Sequence, residues 1–120
     1  MKSKFLSTSI LVFLMFLYFS GCHKTSPPLI LKDFGPTKTR AGEGFNVQPN
    51  GSSAMWVKAD NVTETTVIVW EENHLRSFKE PYGISTLIPK ELYAKLGKYQ
   101  IYLLDTETGA KSNSVVFNVE

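Results

Sequence analysis

Apolar and polar residues alternate over short stretches along most of this chain, and turn residues separate the stretches. Between residues 54 and 59, for example, the apolar Met55 and Val57 alternate with Trp56 and Lys58. A period of two residues is typical of a β-strand with one face in the core and the other in solvent. We therefore predict a strand here, with Trp56 and Lys58 on its solvent face.

The same pattern predicts further short strands, with turns between them about every ten residues. The segment 66–70 is apolar on both faces, which indicates a central strand. Other strands are predicted at 29–31, 45–47, 75–78, 84–88, 98–105 and 114–119. Pro89 to Gly97 predicts a helical piece of one or two turns. Together these elements predict an all-β fold, an antiparallel β-sandwich of about seven short strands, with one short helical turn before the penultimate strand.

The start of the chain has a different pattern. Two lysines precede an unbroken apolar run from Ile10 to Phe19, which has the length of a signal-peptide core and is too short for a membrane span. The small residues Ser20 and Gly21 follow, as a signal peptidase requires. We predict that residues 1–21 are a signal peptide that is cut before Cys22.

The tetrapeptide Phe19-Ser20-Gly21-Cys22 resembles the lipobox of bacterial lipoproteins. The resemblance implies that the Cys22 thiol carries a diacylglycerol, with acyl chains such as palmitate, and that Cys22 begins the mature chain. It also implies a lipid-anchored protein of the cell envelope, with its domain outside the cytoplasm. The next residue is His23 and not Asp, which favours the outer membrane if the organism is Gram-negative. The alternatives are an ordinary secretory signal with an unrelated cysteine, or an uncleaved anchor helix.

The mature chain has room for one small domain. Residues 22–28 are polar and contain two prolines, which predicts an extended tether behind the lipidated cysteine. Residues 29–120 are enough for a single domain and too few for two. The formal charge of +2 comes from Lys2 and Lys4, so the mature chain is balanced in charge. This balance removes support for nucleic acid as a partner.

Short motifs at the ends of the predicted strands carry a second resemblance. In chain order they are Phe34-Gly35-Pro36-Thr37, Gly42-Glu43-Gly44-Phe45, Trp56 to Asn61, Leu87-Ile88-Pro89, Gly97 to Ile101, and Ser112 to Phe117. Residues 29–119 thereby resemble the IPT/TIG branch of the immunoglobulin-like domains. The resemblance implies an immunoglobulin-like β-sandwich used for adhesion, ligand contact or spacing, without a catalytic site.

Residues suited to catalysis or metal binding are few. With Cys22 lipidated, no thiol remains, and His74 is the only histidine outside the tether. Glu71 and Glu72 lie beside it, but a metal site or a general base needs more convergent groups, and we interpret the segment as a solvated turn. An envelope hydrolase would need a pocket that joins His74 to acidic residues. We expect no enzymatic activity, no metal, and no cofactor besides the covalent lipid on Cys22.

One outer face of the sandwich is a candidate interface. If Ile68 and Trp70 face the core, pleating turns their neighbours outward together with residues of the last two strands. The resulting set is apolar and comprises Val67, Val69, Tyr102, Leu104 and Val116. Such a patch would contact an envelope protein or a second copy of the chain. Alternatively, the 75–78 segment or the first strand covers this face, or the inward and outward assignments are reversed.

Trp56 is a second candidate on the opposite sheet. An exposed indole can stack on a sugar ring, so a carbohydrate-binding surface module is the alternative function. The other interpretation is that Trp56 packs under a neighbouring loop. On each of the two binding hypotheses the protein is a non-catalytic binding or structural module.

Overall fold

Nine β-strands lie in the part of the chain that the computed structural model describes, residues 27–120. In order they are β1 (Ile30–Gly35), β2 (Lys38–Thr39), β3 (Ser53–Asp60), β4 (Thr66–Trp70), β5 (Asn73–Leu75), β6 (Ser77–Glu80), β7 (Gly83–Ile88), β8 (Gly97–Asp105) and β9 (Val115–Val119). A 3₁₀ turn, Lys90–Tyr93, precedes β8. Within residues 27–120 no helix has the length and apolar character needed to cross a membrane. The predicted signal peptide and Cys22 lie outside the described residues.

The strands form two sheets that pack face to face. One has the order β1-β3-β7-β6, and the other has the order β2-β9-β8-β4-β5. Neighbouring strands are antiparallel, apart from β2 and β9, which are parallel. The predicted all-β, immunoglobulin-like antiparallel sandwich with a short helical turn before the penultimate strand is confirmed. Seven of the eight predicted stretches are strands, and the number rises to nine because the 75–78 stretch is divided between β5 and β6 and because β2 is added.

The division between β5 and β6 occurs where the chain changes sheets at Arg76. Leu75 pairs with Ile68 in the five-stranded sheet, whereas Ser77 already belongs to the four-stranded sheet. The Ser77 hydroxyl accepts a hydrogen bond from the Ile68 N–H (2.8 Å) and donates one to the Leu75 carbonyl (2.8 Å). This side chain replaces backbone partners that the crossing chain takes away.

The segment predicted as a strand at 45–47 is a loop. Phe45 is nevertheless buried, with its ring centroid 4.9 Å from that of Tyr93 and 5.1 Å from that of Phe117. Asn46 has φ of 42°, in the left-handed region, which a strand does not allow. The prediction of a strand was wrong here because the apolar Phe45 indicates burial and not an extended backbone.

The core lies between the two sheets and has aromatic side chains at its centre. The Trp70 ring centroid lies 4.9 Å from that of Phe117 and 5.5 Å from that of Tyr99. Aliphatic side chains fill the space around these rings, and they include Leu31, Met55, Val57, Ile68, Ile84, Ile88, Ile101 and Leu103. Alternate residues of β3 and β8 supply several of them, as the period of two predicts.

The edge strand β1 is irregular. Its register with β3 shifts between Leu31 and Asp33, which is a β-bulge with Lys32 as the extra residue. The bulge lets Leu31 and Phe34 both face the core, although residues three positions apart lie on opposite faces of a regular strand. The Lys32 Nζ lies 3.2 Å from the Asp60 Oδ2 on the neighbouring strand.

Candidate functional site

The predicted interface residues lie side by side on the outer face of the five-stranded sheet. Val67 of β4 is paired with Leu104 of β8, and Val69 is paired with Tyr102. Val116 of β9 is opposite Gln100. Directly paired residues of antiparallel strands share a face, so the predicted set occupies one surface.

This surface is less exposed than the sequence suggests. Val69 has no exposed area, although it is not part of the core between the sheets. It lies between two paired neighbours, Tyr102 on β8 and His74 on β5. The expectation that Val69 is an exposed interface residue was therefore wrong, because side chains on both neighbouring strands flank it.

The remaining members of the set differ in exposure. Val67, Tyr102 and Leu104 are half-buried, and only Val116 is largely exposed, at 44%. The Lys111 Nζ lies 5.6 Å from the Tyr102 ring centroid, over the ring. Because a charged side chain partly covers Tyr102, the apolar surface here is small and broken up.

Trp56 lies on the outer face of the other sheet, as the alternation of β3 predicts. It is paired with Gly35 of β1 and with Ser85 of β7, and Ser85 is in turn paired with Phe78 of β6. One row of side chains thus crosses all four strands. A Cβ atom at residue 35 would overlap the Trp56 indole, so the indole lies directly over the glycine.

Four apolar side chains of this outer face form a continuous group that we call the aromatic platform, and it consists of Trp56, Phe78, Tyr82 and Leu87. Phe78 is 45% exposed, Tyr82 42% and Leu87 39%, and Trp56 is half-buried. Two shallow grooves adjoin Trp56. One, of about 310 Å³, is lined by members of the platform, and the other, of about 370 Å³, lies between Trp56, Lys58 and Tyr82.

Polar side chains surround the platform and also line the groove of about 310 Å³. The Ser85 hydroxyl donates a hydrogen bond to the Glu80 Oε1 (3.2 Å). At the other end of the groove, the Gln48 Nε2 donates to the backbone carbonyl of Asn46 (2.8 Å). The Arg76 guanidinium lies 5.5 Å from the Phe78 ring centroid. The site therefore combines aromatic rings with carboxylate, amide and hydroxyl groups.

The turn that carries Tyr82 is held tightly against β3. The Tyr82 carbonyl accepts a hydrogen bond from the Ala59 N–H (3.2 Å). Gly83 has φ of 152°, and a Cβ atom there would overlap the Val57 carbonyl. Only glycine permits this approach, which fixes Tyr82 beside Trp56. The sequence pattern did not identify Tyr82 as a site residue, because its position beside Trp56 depends on the approach of the turn to β3.

A third site lies at the end of the sandwich that Pro28 contacts. Asn61 Nδ2 donates a hydrogen bond to the Pro28 carbonyl (2.6 Å), beside a groove of about 450 Å³. Asp105 lines this groove and accepts hydrogen bonds from the Thr65 hydroxyl (2.7 Å), the Glu107 N–H (2.9 Å) and the Thr63 hydroxyl (3.1 Å). These bonds hold the pKa of Asp105 below its ordinary value, with the Thr65 hydroxyl as the largest cause. Asp105 thereby joins the loop between β3 and β4 to the loop that follows β8.

Residues 71–74 do not assemble a metal site. His74 is exposed on the edge strand β5, and Glu71 and Glu72 are exposed before it. The Glu71 carboxylate accepts a hydrogen bond from the Gln100 N–H. Among residues 27–120, no three His, Cys, Asp or Glu side chains are grouped closely enough to hold a metal ion.

No family model, no curated protein and no solved structure matches the chain.

Proposed function

We propose that this chain is a lipid-anchored, exported, non-catalytic binding module of the cell envelope. The observation that carries the proposal is the aromatic platform, which exposes Phe78, Tyr82 and Leu87 around Trp56 on one sheet face. Contiguous exposed apolar groups with a polar rim are typical of interaction sites. The resemblance of the motifs to IPT/TIG domains supports the same role.

The proposed anchor is supported by the order of features at the start of the sequence. Positive charge, an apolar run, two small residues and Cys22 follow one another as in a lipobox. The chain then enters the domain at Pro28, whose carbonyl accepts a hydrogen bond from the Asn61 side chain. Two or three acyl chains give a stable membrane anchor, whereas one gives marginal binding.

Protein contact through the five-stranded sheet is a second candidate. The exposed Val116, next to the half-buried Tyr102 and Leu104, favours it. The partner would be another envelope protein or a second copy of the chain. The aromatic platform ranks first because it has three large exposed apolar side chains, whereas this face has one.

Site-specific photo-crosslinking in intact cells tests the platform as the binding surface. A benzophenone amino acid replaces Tyr82 in one variant and Leu96 in another. Leu96 is a suitable control because it is 70% exposed and lies outside the platform. We expect adducts with an envelope macromolecule at position 82 and few at position 96. Equal labelling at both positions, or none at position 82, would contradict the proposal.

A further inference from the structure

We infer that the aromatic platform binds a neutral, β-linked saccharide chain. This inference rests on the proposed function, because it names the ligand class of the same surface. Three properties of the platform support it, namely the spacing of its rings, its polar groups and the charge of the face.

The rings are spaced along one row of the sheet. Trp56 and Phe78 are each paired with Ser85, so two strand spacings separate their backbones. Two spacings amount to about 10 Å. A ligand that lies along the row can contact both rings and pass over the small Ser85 between them. A flat, extended chain of sugar rings has the shape that this arrangement accommodates.

The polar groups match the hydroxyls of such a ligand. The Ser85 hydroxyl donates a hydrogen bond to one oxygen of the Glu80 carboxylate. The second oxygen accepts no hydrogen bond from residues 27–120. The side-chain carbonyls of Asn46 and Gln48 likewise accept none within that range, while their NH₂ groups are engaged with backbone carbonyls. Carboxylate and amide oxygens are acceptors that sugar hydroxyls can use. The face therefore offers both C–H stacking surfaces and O–H acceptors.

Charge argues for a neutral ligand. Lys58 and Asp33 are paired across β3 and β1, and Glu80 is on the same row beyond Gly83. The Arg76 guanidinium over Phe78 balances the second carboxylate, so this part of the face carries two acidic and two basic groups and offers no surplus of one sign to a charged polymer. A neutral glycan complements it better than a polyanion does.

The indole of Trp56 is already in position. It lies over Gly35, and the tight β6–β7 turn holds Tyr82 beside it. A ring that is fixed before binding loses little conformational entropy when the ligand arrives. We therefore expect Trp56 to contribute more to affinity than the more exposed Phe78.

Titration of the full chain, purified in a non-glycosidic detergent, with cellohexaose and N-acetylchitohexaose tests the inference. Calorimetry measures affinity, and tryptophan fluorescence reports on Trp56, because the other tryptophan, Trp70, is buried. We expect binding of at least one β-linked probe and weaker binding of the α-linked maltohexaose. Trp56→Ala and Tyr82→Ala should each lower the affinity about tenfold. Tyr82 lies in an exposed turn, so Tyr82→Ala is expected to fold. It therefore tests the site even if Trp56→Ala has a folding defect.

Leu96→Ala, which is 70% exposed and lies outside the platform, is the control and should leave saccharide binding unchanged. The inference falls if neither β-linked probe binds, or if binding survives both platform substitutions. If crosslinking at position 82 then yields a protein adduct, the proposed function stands and only the saccharide is rejected. If crosslinking at position 82 also fails, both proposals are rejected.

Discussion

The side-chain amide of Asn113 forms two hydrogen bonds with the backbone of Leu31. Its Oδ1 accepts a bond from the Leu31 N–H (2.9 Å), and its Nδ2 donates one to the Leu31 carbonyl (2.9 Å). Leu31 lies in the four-stranded sheet, whereas Asn113 lies two residues before β9 of the other sheet. One side chain thus ties the edge strand β1 to the opposite layer of the sandwich.

We predict that Asn113→Ala lowers the free energy of unfolding by about 1–3 kcal/mol, because it leaves two backbone groups without partners. Urea denaturation measures the change. Ser114→Ala, an exposed neighbour, should change stability by less than about 0.5 kcal/mol. A similar effect of both substitutions would show that the two hydrogen bonds contribute little.

Gly35→Ala should destabilise the domain by about 1–3 kcal/mol, because the added methyl group overlaps the Trp56 indole. In a double-mutant cycle, Trp56→Ala should relieve part of this cost, since the small side chain removes the overlap. Thermal and chemical denaturation of the four proteins provide the measurement. Strict additivity of the two effects would contradict contact between residues 35 and 56.

Asp105 predicts a pH dependence of stability. Its pKa in the folded protein is below the ordinary value of 3.8, so its hydrogen bonds stabilise the fold when the pH is above 3.8. This contribution is lost as the pH falls from 3.8 through the lowered pKa. Asp105→Asn should therefore lower the melting temperature at pH 7, and its difference from the wild-type protein should shrink at pH 3 and below. A constant difference across this range would contradict the predicted linkage.

Val69 and Val116 share an outer sheet face but should respond differently to charge. Val69→Asp buries a carboxylate without a partner and should prevent folding, at a cost above about 4 kcal/mol. Val116→Asp should cost less than about 0.5 kcal/mol, because its side chain is exposed. Circular dichroism and urea denaturation distinguish the two outcomes. Light scattering of Val116→Asp also tests the second candidate function, since self-association through this face should be abolished.

Cys22→Ser tests the lipid anchor. We expect the variant to leave the membrane fraction after cell fractionation, because it lacks the thiol that accepts the lipid. Continued tight association with membranes would instead indicate an uncleaved anchor helix. Mass spectrometry of the mature wild-type protein should show a lipidated N-terminal cysteine.

Local alternation was sufficient to predict most strands. Residues of β3 alternate between a buried face and an outer face, as predicted. The apolar segment 66–70 is the central strand β4, with β8 on one side and β5 on the other. The prediction failed at Phe45, because an apolar residue in a loop can be buried as deeply as one in a strand. The two-residue β2 is polar and carries no period at all.

The binding surfaces depend on pairing between distant strands, which alternation does not encode. Val69 faces outward, but the neighbouring His74 and Tyr102 determine that it is buried. Phe78 joins Trp56 only because both are paired with Ser85. Trp56 could be identified from the sequence as an outer aromatic residue, whereas its companions required the register.

The bulge in β1 also affects how neighbouring molecules meet. A regular edge strand offers a row of backbone groups to which a second sheet can add, and proteins avoid this hazard with bulges and with charged or very short edge strands. Here β1 is interrupted at Lys32, and the opposite sheet ends in strands of only two and three residues. With the proposed lipid anchor, copies would lie side by side on one membrane. The irregular edge would keep them from joining into fibrils and leave the outer sheet face free for the proposed ligand.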